Sequence, residues 1–330
     1  MKKTIFIYDL AHSLNYSPEQ FRNFLVSNNL AYLLQNTIVE EFEILKVLSV
    51  YISEKKFKNT MWEIPEWLTK INTKWSISLL NMYNNPASFP SSLAPSQGKQ
   101  LFDFIIDSKP ENVVEIGSYI GVSSLWIGAA LEKNGGGSLS AIDLFLPKIP
   151  NLPHHCGFID DSFAYARNHA DAAGLSKFIR FYKVLSWQFA RDIRRYIQKD
   201  IDFLFIDGDH SVIGCLDDFV TFYPFVREGG KILLHDINPN VCGCPGPSYL
   251  LNILSCYPSE FEISYVKTEP DFGMALITKT TKRKNLENLN NFNTKLKILK
   301  NHIKTRFLYS DAYQKTLRPH WLNLKNIFSK

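Results

Sequence analysis

A chain of 330 residues that is 45% hydrophobic and 14% aromatic has a globular composition, which excludes a disordered or collagen-like protein. It holds no run of eighteen apolar residues, so no bilayer-spanning helix is expected, and its five cysteines are too few and odd in number for a disulfide framework. The formal net charge of +5 is unevenly placed: residues 279–330 contain thirteen Lys and Arg against two acids, so residues 1–278 carry −6.

In chain order, "MKKTIFIYDLAHS" imitates a secretory leader, but Asp9 interrupts its apolar run and no small-residue cleavage site follows, so a cytoplasmic chain is expected. The first ninety residues read as helices, with a Ser17 cap signal opening "SPEQFRNFLVSNN" and apolar residues at helical spacing in "NTIVEEFEILKVLSVYISEKK". The polar, proline-bearing "NNPASFPSSLAPSQG" marks a boundary, giving a helical region 1–90 ahead of the next domain. From there short apolar strands alternate with amphipathic helices: "NVVEIG", "LSAIDLF", "FIRFYKV", "IDFLFID" and "KILLHD" are the strands. "FEISYVKTE" and "FGMALITK" then follow with only "PD" between them, too short for a helical crossover, so they form an antiparallel pair. The fold expected over 91–279 is α/β: a doubly wound seven-stranded sheet of five parallel strands plus an antiparallel terminal hairpin. The basic tail 280–330 reads as helical. It is either a solvated helix pair or a surface for an acidic partner.

The first strand runs into "EIGSYIGVSS", where Gly117 and Gly121 sit between a buried strand and a helix. Missing side chains let a ligand approach the backbone, and the helix start offers free N–H groups. A nicotinamide fingerprint needs G-x-G-x-x-G, whereas this turn is G-x-x-x-G with Glu115 two residues ahead. A carboxylate there disfavours a pyrophosphate and suits a ligand bearing an ammonium group. Asp143 closes the second strand, where an acid can accept from ribose hydroxyls.

"EIGSYIGVSS", "AIDLF", "VLSWQ", "FLFIDGDHS" and "REGGKILLHDIN" together resemble the motif series of class I S-adenosylmethionine-dependent methyltransferases, most closely the small-molecule O-methyltransferases. The resemblance covers about Ser96 to Lys279. It implies S-adenosylmethionine as cofactor, with Glu115, Gly117, Tyr119, Gly121 and Ser123 at its methionine end, Asp143 at the ribose, Phe145 near the adenine and Ser186 at the adenine. The partner implied is a small-molecule acceptor, with nucleic acid disfavoured because "DGDH" stands where base-methylating enzymes carry an N-P-P-[YF] tetrad. The N-terminal helices would cover the acceptor side or form a homodimer contact.

Methyl transfer to a hydroxyl needs a deprotonated acceptor, supplied by a general base or a divalent cation. His210 is the candidate base, since histidine titrates near neutral pH, and Asp207 and His210 keep the three-residue spacing of the metal-dependent relatives. The alternative is that His210 or Asp209 caps the next helix. Asp207 and Asp236 form the candidate magnesium pair, although Ile237 stands where that pattern has Asn or a second acid. A soft-metal alternative combines His154, His155 and Cys156 with Cys242 and Cys244. Transfer to nitrogen, carbon or a sugar hydroxyl, or cofactor binding without transfer, are the competing functions.

Overall fold

The computed structural model describes residues 61–146, 159–242, 245–267 and 272–281, with shorter pieces at 4–6, 11, 18–27, 30–35, 38–40 and 47. His154, His155, Cys156, Cys244 and the basic tail beyond 281 lie outside the described residues.

Seven strands make the central sheet: β1 (Asn112–Ile116), β2 (Ser138–Asp143), β3 (Ile179–Lys183), β4 (Ile201–Ile206), β5 (Val226–His235), β6 (Phe261–Val266) and β7 (Met274–Lys279). Their order is β3-β2-β1-β4-β5-β7-β6. The first five are parallel, while β7 pairs antiparallel with both β5 and β6. This is the doubly wound sheet with a terminal hairpin that the strand pattern predicts. The winding reverses between β1 and β4, so the crevice at their carboxyl ends is where an open α/β sheet binds its ligand.

A parallel strand covered on both faces must be apolar throughout, and "IDFLFI" shows why. Phe203 and Phe205 enter the core on one face; Leu204 and Ile206 enter the core on the other. The first core is closed by α1 (Lys74–Tyr83), α2 (Pro95–Ser108), α3 (Val122–Asn134) and α4 (Ser162–Ala172), the second by α5 (Ser186–Arg191), α6 (Val212–Phe222) and α7 (Gly246–Leu254).

The residues just ahead of the sheet share the first core. Trp62, Leu68, Tyr83, Phe89 and Leu93 are buried in it together with Trp126 of α3. Trp126 Nε1 donates to the Tyr83 hydroxyl at 2.9 Å, and that hydroxyl donates to the Leu93 carbonyl at 2.9 Å. Gly98 permits the α2–α3 contact, because a Cβ there would lie 2.0 Å from Trp126 Nε1.

Two local readings differ from the structure. Helical spacing was expected through Ile38–Glu40, yet these residues pair antiparallel with Thr4–Phe6. The β-branched Ile38 and Val39 suit an extended backbone, so pairing with a partner distant in sequence outweighs the helical period. The fifth strand, read from the sequence as "KILLHD", starts earlier: β5 begins at Val226 and includes Gly229 and Gly230, with its pairing to β4 shifted between Ile201 and Phe203. Gly229 has φ +73°, a backbone that glycine adopts without a Cβ penalty.

Candidate active site

The carboxyl ends of β1, β2 and β4 are tied by main-chain bonds. Gly117 N donates to Ile142 O at 2.9 Å, and Asp207 N donates to Ile116 O at 2.8 Å. Gly117 has φ +88°, and a Cβ on it would stand 2.1 Å from the Asp207 carbonyl. Gly117 is therefore required by the neighbouring strand end as well as by any ligand. Gly121, φ +93°, is the N-cap of α3.

Glu115 is fully buried beneath this turn. Ser118 Oγ donates to its Oε2 at 2.9 Å, and Ser124 Oγ donates to the same oxygen. Among the described residues Oε1 has no partner of ordinary hydrogen-bond geometry, although the Ser123 hydroxyl is near enough to favour the charged form. Burial pushes the carboxyl up to about 7; the three serines oppose this and the Asp207 charge adds to it. The serine ring around Glu115 was not read from the sequence. Its signal is hydroxyls three, eight and nine residues after the acid, spanning one turn and the first turn of a helix.

Asp143 Oδ2 accepts from Tyr119 N at 2.8 Å and Oδ1 accepts from Phe145 N at 2.5 Å, so the acid braces the glycine turn. Burial raises its pKa, against the pull of those amides. Tyr119 takes a left-handed backbone, φ +50°, and its hydroxyl donates to Ala87 O at 2.9 Å, which brings the segment before α2 against the turn. Phe145 packs edge-on to Phe163 and Phe181. Ser186 opens α5, with Oγ donating to Asp218 Oδ1 of α6 at 2.7 Å.

Four side chains converge after β4 and β5. His210 Nε2 lies 3.2 Å from Asp207 Oδ1 and 3.4 Å from Asp236 Oδ2. His235 Nδ1 lies 3.0 Å from Asp207 Oδ1 and 3.2 Å from Asp236 Oδ1. The register explains the meeting: Ile206 pairs with Leu234, which puts Asp207 opposite His235, one step beyond. His235 was missed as a site residue, because its place depends on which strands are neighbours. Asp236 sits at φ +57°, a left-handed backbone that Asp and Asn adopt more readily than other residues with a side chain.

Electrostatics bind the four together. Burial alone would lower both histidines, but the hydrogen bond to Asp207 and the charges of Asp236 and Asp207 lift His210 to about 9, and the same two carboxylates lift His235 to about 9. Asp207, which burial would raise, is held low by the His235 charge and the hydrogen bonds of both imidazoles. Neither Asp209 nor the imidazole caps α6. The Ser211 hydroxyl does so, accepting from Gly214 N at 3.0 Å, while Asp209 accepts from Ser211 N at 2.9 Å in the turn. Of the soft-metal residues within the described set, Cys242 directs its thiol to the Asp236 and Asn238 carbonyls.

Residues 114–237, from β1 to just past β5, match the model of a family described as a methyltransferase domain. Among solved structures, an O-methyltransferase from Bacillus cereus in complex with S-adenosylhomocysteine is similar at 16% identity and TM-score 0.47, over 72% of this chain and 99% of that one. The O-methyltransferase TomG from Streptomyces achromogenes, involved in tomaymycin synthesis and bound to S-adenosylmethionine, is similar at 18% identity and TM-score 0.46, over 74% of this chain and 100% of that one. An S-adenosylhomocysteine-bound methyltransferase from Podospora anserina shows 15% identity and TM-score 0.45, over 73% and 97%.

Proposed function

We propose that the chain, whose residues 114–237 match a methyltransferase domain, is a class I, S-adenosylmethionine-dependent enzyme that transfers the cofactor's methyl group to a hydroxyl of a small molecule. The observation that carries this reading is adjacency. A glycine turn over a buried glutamate touches, through Gly117 and the Asp207 carbonyl, the strand end that bears the acid and histidine cluster. A cofactor seat and a proton-handling site thus share one crevice.

The cofactor supplies a sulfonium-bound methyl group, which an acceptor oxygen displaces in line. In this reading Glu115 receives the ammonium group through Oε1, with Gly117, Tyr119, Gly121 and Ser123 around the methionine end. Asp143 faces the ribose hydroxyls, held in place by the amides of Ser118, Tyr119, Leu144 and Phe145, and Ser186 lies at the adenine. The segment before α2, held by the Tyr119 hydroxyl, shields the crevice from water.

His210 is the proposed acceptor of the hydroxyl proton, with Asp207 orienting it. Two carboxylates at 3.2 and 3.4 Å favour the protonated ring, so His210 takes up a proton only when their charge is offset. A divalent cation held by Asp207 and Asp236, magnesium in the reading from resemblance, would provide that offset and lower the acceptor's own pKa.

The test is to incubate the full chain with methyl-labelled S-adenosylmethionine and a panel of catechols, phenols and sugars, and to follow label and S-adenosylhomocysteine. Labelled methyl ethers are expected. Cofactor binding without transfer to any hydroxyl, or label found only on nitrogen or carbon acceptors, contradicts the reading.

A further inference from the structure

We infer that the Asp207–His210–His235–Asp236 cluster is a binding site for a first-row transition cation such as zinc, manganese or iron(II), with the two imidazoles as nitrogen ligands, and not a magnesium site. The inference rests on the metal-assisted part of the function proposed above, changes the identity and ligands of the cation, and replaces His210 as proton acceptor: its Nε2 becomes a ligand, and the cation itself lowers the pKa of the acceptor hydroxyl.

Three observations carry it. First, each imidazole nitrogen that faces the cluster, His210 Nε2 and His235 Nδ1, has a carboxylate oxygen of both Asp207 and Asp236 within 3.0–3.4 Å. A ring nitrogen holds at most one hydrogen and cannot serve two acceptors well. A cation at the centre satisfies all four groups at once. Second, the spacing fits. Ligands bonded at about 2.1 Å around a tetrahedral or octahedral ion stand about 3.0–3.4 Å apart; Asp207 Oδ1 lies 3.2 Å from His210 Nε2 and 3.0 Å from His235 Nδ1, while Asp236 presents Oδ2 to His210 at 3.4 Å and Oδ1 to His235 at 3.2 Å. One candidate ligand atom from each residue can be chosen so that all lie within 4.8 Å of one another. Third, His235 is directed at the cluster alone: it is 6% exposed, and its Nε2 has no partner among the described residues.

The donor set separates the ions. Magnesium demands oxygen ligands and retains several waters, whereas here two of four converging groups are imidazoles. Imidazole with carboxylate is the mixture that suits zinc, manganese, iron and cobalt. The two carboxylates also neutralise a divalent charge, leaving the neutral rings to complete the shell. Among the described residues no other group of three or more His, Cys, Asp or Glu is arranged to hold an ion.

The experiment uses the full chain stripped with chelator, titrated with Co2+ while the visible spectrum is followed, and with Zn2+ and Mg2+ by calorimetry. One equivalent of Co2+ with visible bands, displaced by Zn2+, is expected, with no Mg2+ heat over the same range. His210→Gln and His235→Gln should each weaken Co2+ binding at least about tenfold. Circular dichroism checks that each variant is folded, and the partly exposed His210→Gln keeps the test open if buried His235→Gln fails to fold. The inference is overturned by absence of Co2+ binding, by Mg2+ binding as tightly as Co2+, or by Co2+ binding unchanged in the folded variants. S-adenosylmethionine titrated into the same stripped protein separates the two claims: binding of cofactor without Co2+ removes only the metal, whereas no cofactor binding removes the methyltransferase reading.

Discussion

Gly117 is the residue at which sequence, fold and function constrain one another most tightly. Its φ of +88° and the 2.1 Å approach of the Asp207 carbonyl leave no room for a side chain. Gly117→Ala should lower the melting temperature, by about 1–3 kcal/mol or more of stability, and abolish cofactor binding by calorimetry; a variant with unchanged affinity would show that the turn is not the cofactor seat. Asp218 gives a pH test at a carboxyl that lies outside the four-residue acid and histidine cluster but feels the His210 charge. Burial raises its carboxyl to about 7, opposed by the Ser186 hydroxyl and reinforced by Asp217 and Asp209. A folded pKa above the unfolded value means that the native state binds the proton more tightly, so this group's contribution to stability falls as pH rises from about 4 to about 7. Asp218→Asn removes that dependence. The melting-temperature difference, variant minus parent, should become more positive between pH 5 and pH 8, and a constant difference would refute the assignment. At this scale Glu115, Gly117, Asp143, Asp207 and His210 were legible because each stands in a short motif at a strand end. His235 and Asp218 were not, since their partners, Asp207 and Ser186, are 28 and 32 residues away in sequence.

Among the elements, the α1–α2–α3 contact links the N-terminal part of the chain to the glycine turn. Tyr83→Phe leaves Trp126 Nε1 without its acceptor and Leu93 O without its donor in a fully buried place, and should cost about 1–3 kcal/mol in denaturant unfolding. Gly98→Ala should cost more, because the Cβ would meet the Trp126 ring at 2.0 Å. Equal stability of parent and both variants would contradict the packing described. The strands were legible because a strand buried on two faces is a short, unbroken apolar run, as in "IDFLFI" and "KILLHD". Ile38–Glu40 was not, since a three-residue strand is too short to show its own period.

Across the whole molecule the sheet order places the glycine turn and the acid and histidine cluster on one edge, and the hairpin β6–β7 closes the other side of β5. The end of that hairpin limits how far the chain can be shortened. Lys279 is 1% exposed, donating to the carbonyls of Tyr223 at 3.1 Å and Val226 at 2.8 Å, and Thr280 N bonds Glu260 O at 3.0 Å. A chain ending after Thr278 should unfold at lower temperature than one ending after Thr281, having left two buried carbonyls unsatisfied. Among the described residues no helix is long and apolar enough to cross a membrane. The most direct measurement of the central claim is calorimetric titration of the full chain with S-adenosylmethionine. The account predicts saturable binding of one cofactor per chain, lost in Gly117→Ala; no binding by a folded parent chain would contradict it.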